Sequence, residues 1–392
     1  MSSRTFAALS VRNFRLYFSG QLISVSGTWM QSVAQGWLVL QLTGSSLYLG
    51  VSVALQYLPM LLFGSYGGLL ADRSDKRHIL YFTQSTAGLC ALVLGFLVST
   101  HHATATMVFA MALLLGISNM FDVPARQAFT QEMVGRELIA NAVSLNSVLM
   151  NAGRLIGPAI SAAVIALFGT AACFYANAGS YLAVLLALVL MRKEELNPIR
   201  TVRRGKGQLR LGLSYAWRTP LIRRTVLSVA VVGTLAFNFT VTLPLLVRRT
   251  FHQNSPVHYG ILMGAMGLGA IIGGLYIARR SRPTSRLLAV LGTLFGVSMG
   301  LVALSPSLFV AALLLVPTGA FSIAFVSTAN ALLQMNSKEE MRGRVMSLHA
   351  TAFLGSTPIG APLIGAIIAV SNPRVGLATG ATFTLATGLV LL

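Results

Sequence analysis

Along this chain apolar residues gather in runs, and twelve of the runs approach the length of about 20 residues that crosses a bilayer as a helix. They fall near residues 13–40, 47–71, 78–99, 105–125, 139–168, 170–191, 222–248, 257–279, 285–304, 308–333, 343–370 and 374–392. The longest polar link, RKEELNPIRTVRRGKGQLRLGLSYAWRTPLI at residues 192–222, divides them six and six. The pattern predicts an all-α membrane protein of twelve transmembrane helices. Its parts are an N-terminal six-helix bundle at 1–191, a linker at 192–221 and a C-terminal six-helix bundle at 222–392. Late in the linker, Leu209, Leu211, Leu213 and Trp217 stand among basic residues ahead of Pro220. That composition suits either an interfacial helix or a solvated connection.

The halves resemble each other. VSLNSVLMNAGRLIGPAI from Val143 aligns without gaps on MSLHATAFLGSTPIGAPL from Met346, which pairs Gly157 with Gly360 and Arg154 with Thr357. In the same order, GGLLADR from Gly67 aligns on GGLYIAR from Gly273. Parallel repeats about an axis along the membrane normal are a transporter architecture, with the substrate site near the midplane where the repeats meet. Pseudo-two-fold symmetry between the bundles is therefore expected.

Two spans carry polar faces. Gln21, Ser24, Thr28, Gln31 and Gln35 recur at helical spacing in the first, and Ser144, Ser147, Asn151, Arg154, Pro158 and Ser161 do so in the fifth. These faces are expected to meet each other or to line water. A guanidinium at the centre of a membrane helix costs about 3 kcal/mol on insertion scales, so Arg154 is expected to face a cavity or a partner. Of the nine acidic residues, Asp122 alone falls inside a predicted span. Helix rise places it about 5 Å from one membrane boundary and Arg154 roughly 22 Å in, so the two are not expected to pair.

Composition supports the membrane reading. The 392 residues are 55% hydrophobic and 10% charged, with mean hydropathy +0.74, whereas soluble domains carry about 25% charged residues. The formal net charge of +20 raises nucleic acid as a partner, but the basic residues alternate by side of the membrane. All of them crowd one side except Arg248, Arg249 and Arg374 opposite and Arg154 within a span. The positive-inside rule then places the N-terminus and the linker in the cytoplasm, and no nucleic-acid role is expected. The long, partly polar first span does not read as a cleavable signal peptide, and the last span, short and without a charged tail, suits a chain that is truncated there. Cys90 and Cys173 lie in separate spans, which leaves neither a disulfide framework nor a metal motif. RRGKGQ at Arg203 lacks the first Gly and the final hydroxyl of an ATP-binding loop, and no zinc-protease helix or G-x-S-x-G elbow occurs. An enzyme is not expected. GAMGLGAIIGG at Gly264 reads as a helix-packing run, and a non-transporting receptor or scaffold is the remaining alternative.

GGLLADRSDKRHIL resembles the loop between the second and third helices of the major facilitator superfamily. Gly68, Asp72, Arg73, Lys76 and Arg77 match that pattern, while Asp75 stands where a second Gly is usual. The resemblance implies that Asp72 contacts the start of the eleventh helix and helps hold the cytoplasmic side closed. Gly153, Gly157 and Pro158 are similar to the core of the fifth-helix antiporter motif, although Ser161 and Ala162 replace its later Gly pair. With DVPARQAF at Asp122, this region looks most like the bacterial exporter branch that includes enterobactin exporters and macrolide efflux proteins. The implied protein is a monomeric inner-membrane exporter of a small amphipathic or anionic molecule, working by alternating access and proton antiport without a cofactor. An importer is the variant reading. Thr28, Gln31, Gln35, Asn151, Arg154, Asn238 and Thr357 are the substrate-contact candidates, and Asp122 and His349 the proton-coupling candidates. Thr328, Asn330, Phe237, Phe239, Phe321 and Phe325 are further residues that could complete the site.

Overall fold

Helix is the only regular structure among the described residues, as expected of a chain that must satisfy its backbone groups without water. The computed structural model describes residues 6–197, 208–279 and 283–392. Arg4, Arg280, Arg282 and the basic residues of 198–207 lie outside them, as do the side chains of Asp72, Asn151, Leu209 and Arg210.

The first half contains α1 (Arg12–Thr43), α2 (Ser46–Arg73) and α3 (Lys76–Ser99). A helix over Ala105–Phe168 follows, bent at Gly135, which we divide into α4 (105–134) and α5 (136–168); α6 (Thr170–Leu190) completes the half. The second half contains α7 (Gln208–Arg218), α8 (Pro220–Leu235), α9 (Phe239–Leu245), α10 (Pro256–Ala278), α11 (Ser285–Leu304) and α12 (Leu308–Asn336), then α13 (Glu339–Leu354), α14 (Thr357–Val370) and α15 (Pro373–Leu391). Ten helices among the described residues are long and apolar enough to cross a membrane. The bent helix supplies two crossings, and α1, 32 residues long, supplies another that its polar face keeps off the apolar count. The chain thus makes twelve crossings.

Three predicted boundaries need correction. Residues 126–138, expected to be a loop, are helical except at Gly135, whose φ of 72° lies in the left-handed region open to glycine. Ala125, Phe129 and Met133, one helical turn apart, are buried with Phe14, Tyr17 and Leu188, and this burial continues α4 past its apolar run. The seventh crossing is not continuous. It unwinds between α8 and α9, where Asn238 Nδ2 donates to Thr234 O at 2.7 Å, a carbonyl left free by the break. The eleventh crossing keeps right-handed helical angles at Gly355 and Ser356 but loses a helical hydrogen bond between α13 and α14, because Pro358 has no N–H to donate.

The chain forms two compact units, Met1–Leu38 with Leu58–Val202 and Val39–Tyr57 with Arg203–Leu392. In the first, Asn13 and Arg192 exchange hydrogen bonds of 2.8 and 3.0 Å that tie the start of α1 to the end of α6. In the second, Arg248 and Arg249 donate to Leu40 O at 2.6 Å and Gly44 O at 2.8 Å, occupying carbonyls at the end of α1.

The glycines paired by the repeat alignment make equivalent contacts. A Cβ on Gly67 would meet the Met120 carbonyl, bringing α2 onto α4, and one on Gly273 would meet the Ala320 carbonyl, bringing α10 onto α12. Likewise Gly157 lies against Ser26 and Met30 of α1, and Gly360 against the Thr234 carbonyl of α8. Close approach at small residues is how membrane helices gain packing without a hydrophobic drive. Each half therefore uses the same two helix contacts. The run at Gly264 is a packing surface, with Gly269 against Val316.

Candidate functional site

The polar stripe of α1 turns inward within its own unit. Gln21, Ser24, Gln31 and Gln35 are buried. Gln21 Oε1 accepts from Arg126 Nη1 at 2.8 Å, and Gln31 Oε1 accepts from Asn177 Nδ2 at 2.6 Å. Thr28 is exposed; its hydroxyl donates to Ser24 O at 2.9 Å and lies 3.4 Å from the Tyr181 hydroxyl. Among the described residues the stripe thus meets α4 and α6.

Asp122 is the centre of the buried polar core, with 2% of its surface exposed. Its Oδ1 accepts from Thr83 Oγ1 at 2.8 Å and Gln84 Nε2 at 2.7 Å, while Oδ2 pairs with the Arg126 guanidinium one turn along α4. A buried charge is tolerated only when its partner and its lone pairs are both provided for, and here α3 and α4 provide them. Four buried atoms near this pair, Tyr17 Oη, Gln21 Nε2, Gln84 Oε1 and Arg126 Nε, have no hydrogen-bond partner within the described chain.

Arg154 is half-buried on α5, its guanidinium over the Trp29 ring of α1 at 4.9 Å from the centroid. Gly153 and Gly157 make this stacking possible. They seat α5 on Val25, Ser26, Trp29 and Met30, with the buried Pro158 beside them. Arg154 is therefore placed against α1 at Trp29.

In the second unit the candidates are dispersed. Asn238 is buried at the break of the seventh crossing, with Oδ1 unpartnered, and Thr357 is half-buried at the start of α14. His349 and Thr328 are buried, each with an unpartnered polar atom, whereas the Asn330 amide oxygen accepts from Gln334 at 2.8 Å. Phe237 and Phe239 pack on Phe295, and Phe237 also packs on Phe353 with centroids 5.0 Å apart. Phe325 is buried and Phe321 half-buried in α12.

The motif between α2 and α3 is tied into its unit. Gly68 has open space around it among the described residues, and the close approach of α2 to α4 is made at Gly67. Asp75 caps α3, accepting from the Arg77 N–H at 2.8 Å; a side-chain cap thus fills the position where the motif usually has glycine. Lys76 forms an ion pair of 3.1 Å with Glu132 on α4. Arg77 is buried and donates to Leu188 O at the end of α6 and to the Tyr81 hydroxyl at 3.2 Å. Arg73 is exposed at the end of α2.

Sequence reading missed Arg126, Thr83, Gln84, Asn177 and Trp29 as partners. The first had a signal, its i,i+4 spacing from Asp122, but the expected end of the fourth span at 125 concealed it. The others lie on helices whose facing is decided only by packing.

The transmembrane secretion effector family matches residues 3–392. The Staphyloferrin A transporter of Staphylococcus aureus is 27% identical over 89% of this chain and 88% of its own length. The multidrug efflux pump Tap of Mycolicibacterium fortuitum is 26% identical over 88% and 86%, and the enterobactin exporter EntS of Shigella flexneri is 26% identical over 97% and 90%. Among solved structures, a bacterial homolog of the human lysosomal transporter Spinster, inward-facing and unoccupied, superposes with a TM-score of 0.72 at 15% identity, covering 98% of this chain and 95% of that one. The nucleoside transporter NupG gives 0.70 at 11%, covering 98% of each. These folds are those of major facilitator transporters. With its membrane helices and a family match along nearly its whole length, the chain belongs to the transmembrane secretion effectors, multi-pass inner-membrane transporters of the major facilitator superfamily and not enzymes.

Proposed function

We propose that the chain is a monomeric exporter that moves a small amphipathic or anionic molecule out of the cytoplasm by alternating access, with inward proton flow as the driving force. The observation that carries export is the near-full-length similarity to proteins named as an enterobactin exporter and a multidrug efflux pump. The basic residues on one side support a cytoplasmic N-terminus. The six-helix bundles at 1–191 and 222–392 are the moving parts in this reading, joined by the 192–221 linker, with Asp72, Arg73, Lys76 and Arg77 as the cytoplasmic gate.

Arg154 and Trp29 are the proposed recognition pair. A guanidinium stacked on an aromatic ring brings positive charge and an apolar surface together, a pairing suited to an anionic or phenolic group of the cargo. Thr28, exposed within a turn of Trp29, is the accessible hydrogen-bonding candidate on α1. Gln31 is engaged by Asn177 and Gln35 is buried, which gives them positioning roles; Asn151, Asn238 and Thr357 remain contact candidates. Asp122 is the proposed proton carrier. The unpartnered polar atoms around its ion pair suit bridging water, and protonation would release Arg126. His349 is the second candidate.

Inside-out vesicles test this reading with catecholate siderophores and cationic and anionic drugs as cargo. We expect gradient-dependent uptake that falls at least about tenfold in Arg154→Ala, equivalent to roughly 1.4 kcal/mol, and is partly retained in Arg154→Lys. Uptake unchanged by a protonophore would remove proton coupling. Counterflow without net export would favour a facilitator, and binding without counterflow a receptor.

A further inference from the structure

Helix α7 divides into two unlike faces. Ala216 is buried with Ile222, Leu333 and Val345, Tyr215 packs beside them, and the Tyr215 hydroxyl accepts from the Lys338 N–H at 3.2 Å. The other face presents Leu213 and Trp217, one helical turn apart and exposed by 52% and 57%. Beside it lies an open groove of about 470 Å³, lined by Leu213, Ser214, Trp217 and Arg218. One residue, Thr219, separates the helix from α8 and the start of a membrane crossing. The exposed apolar face therefore belongs to a segment fastened at the edge of the hydrocarbon.

The charge around it has one sign. From Leu196 to Lys338 the sequence contains no acidic residue, while Arg200, Arg203, Arg204, Lys206 and Arg210 precede or enter the helix and Arg218, Arg223 and Arg224 follow. Basic residues beside a membrane crossing are drawn to an anionic lipid surface, and Trp is favoured where acyl chains meet headgroups. We propose that α7 is an anionic-phospholipid site, with Leu213 and Trp217 in the acyl–glycerol boundary and Arg218 on the headgroup phosphate. Tyr215 and Ala216 fasten the same helix to α8 and α13, so the lipid holds the linker to the leaflet and makes transport sensitive to lipid charge.

Trp29, Trp37 and Trp217 are the three tryptophans of the chain, so Trp29→Phe/Trp37→Phe leaves Trp217 as a lone fluorophore. In nanodiscs of phosphatidylcholine with phosphatidylglycerol, lipid labelled with a shallow nitroxide should quench its emission at least threefold more than aqueous iodide does. Arg218→Gln should reduce that difference by half or more. Iodide quenching equal to that of a free tryptophan derivative, or shielding that appears only as protein concentration rises and marks a second copy as the occupant, would overturn the proposal. A second measurement uses the otherwise unmodified chain. Native mass spectrometry should show phosphatidylglycerol retained over phosphatidylcholine at least threefold, with the preference reduced in Trp217→Ala and Arg218→Gln; equal retention, or a preference indifferent to both substitutions, would also overturn it.

Discussion

Asp122 has both carboxylate oxygens engaged, one by Thr83 and Gln84 and the other by Arg126, so deleting its charge leaves a buried guanidinium without its partner. Asp122→Asn should destabilise the protein by about 3–5 kcal/mol, and adding Arg126→Gln should recover a substantial part of the loss. Thermal unfolding of the purified variants measures both, and a double variant no more stable than the single would show that the pair is not the source. The same residue illustrates what sequence alone leaves open. Hydropathy singled out Asp122 as the acid within a span, yet its partner was hidden because hydropathy ended the helix where buried apolar side chains in fact continue it. Arg154 was legible as a cation at depth, but its seat on Trp29 depends on how α5 lies on α1.

Among the elements, α4 and α5 meet at one non-helical residue, Gly135. A side chain at Gly135 would have to adopt a positive φ, at a cost on the order of 1–3 kcal/mol. Gly135→Ala should lower the unfolding temperature without moving any contact of the Arg154–Trp29 pair, and a melting temperature equal to that of the parent would mean the bend relaxes elsewhere. The two neighbouring glycines of α2 separate motif from packing. Gly67→Val should destabilise by about 1–3 kcal/mol through collision with the Met120 carbonyl, while Gly68→Val, directed into open space, should change stability by less than about 0.5 kcal/mol. Thermal melts rank the pair, and the reverse order would refute the assigned register. Spacing alone could not distinguish them, since adjacent helical positions differ by about 100° in direction and only a neighbouring helix gives either direction meaning.

At the scale of the whole molecule, the repeated plan makes its own prediction. Gly157→Val and Gly360→Val each wedge apart an equivalent helix pair, α5 from α1 and α14 from α8. The two substitutions lie in separate compact units, so their effects on stability should add within about 0.5 kcal/mol. A clearly non-additive double variant would show that the two helix contacts are energetically coupled. By itself the sequence determined that the chain is helical, that it crosses a membrane twelve times, and that its halves share one design. These follow from hydropathy over about 20 residues and from repeated small residues, both local properties. Only the tertiary structure decided which glycine is the contact, which partner neutralises Asp122, where the seventh crossing unwinds, and that α1 turns its amides toward α4 and α6. Hydrocarbon offers almost no penalty for rotating an apolar helix about its axis, so facing is set by fit and by the buried hydrogen bonds that neighbours complete.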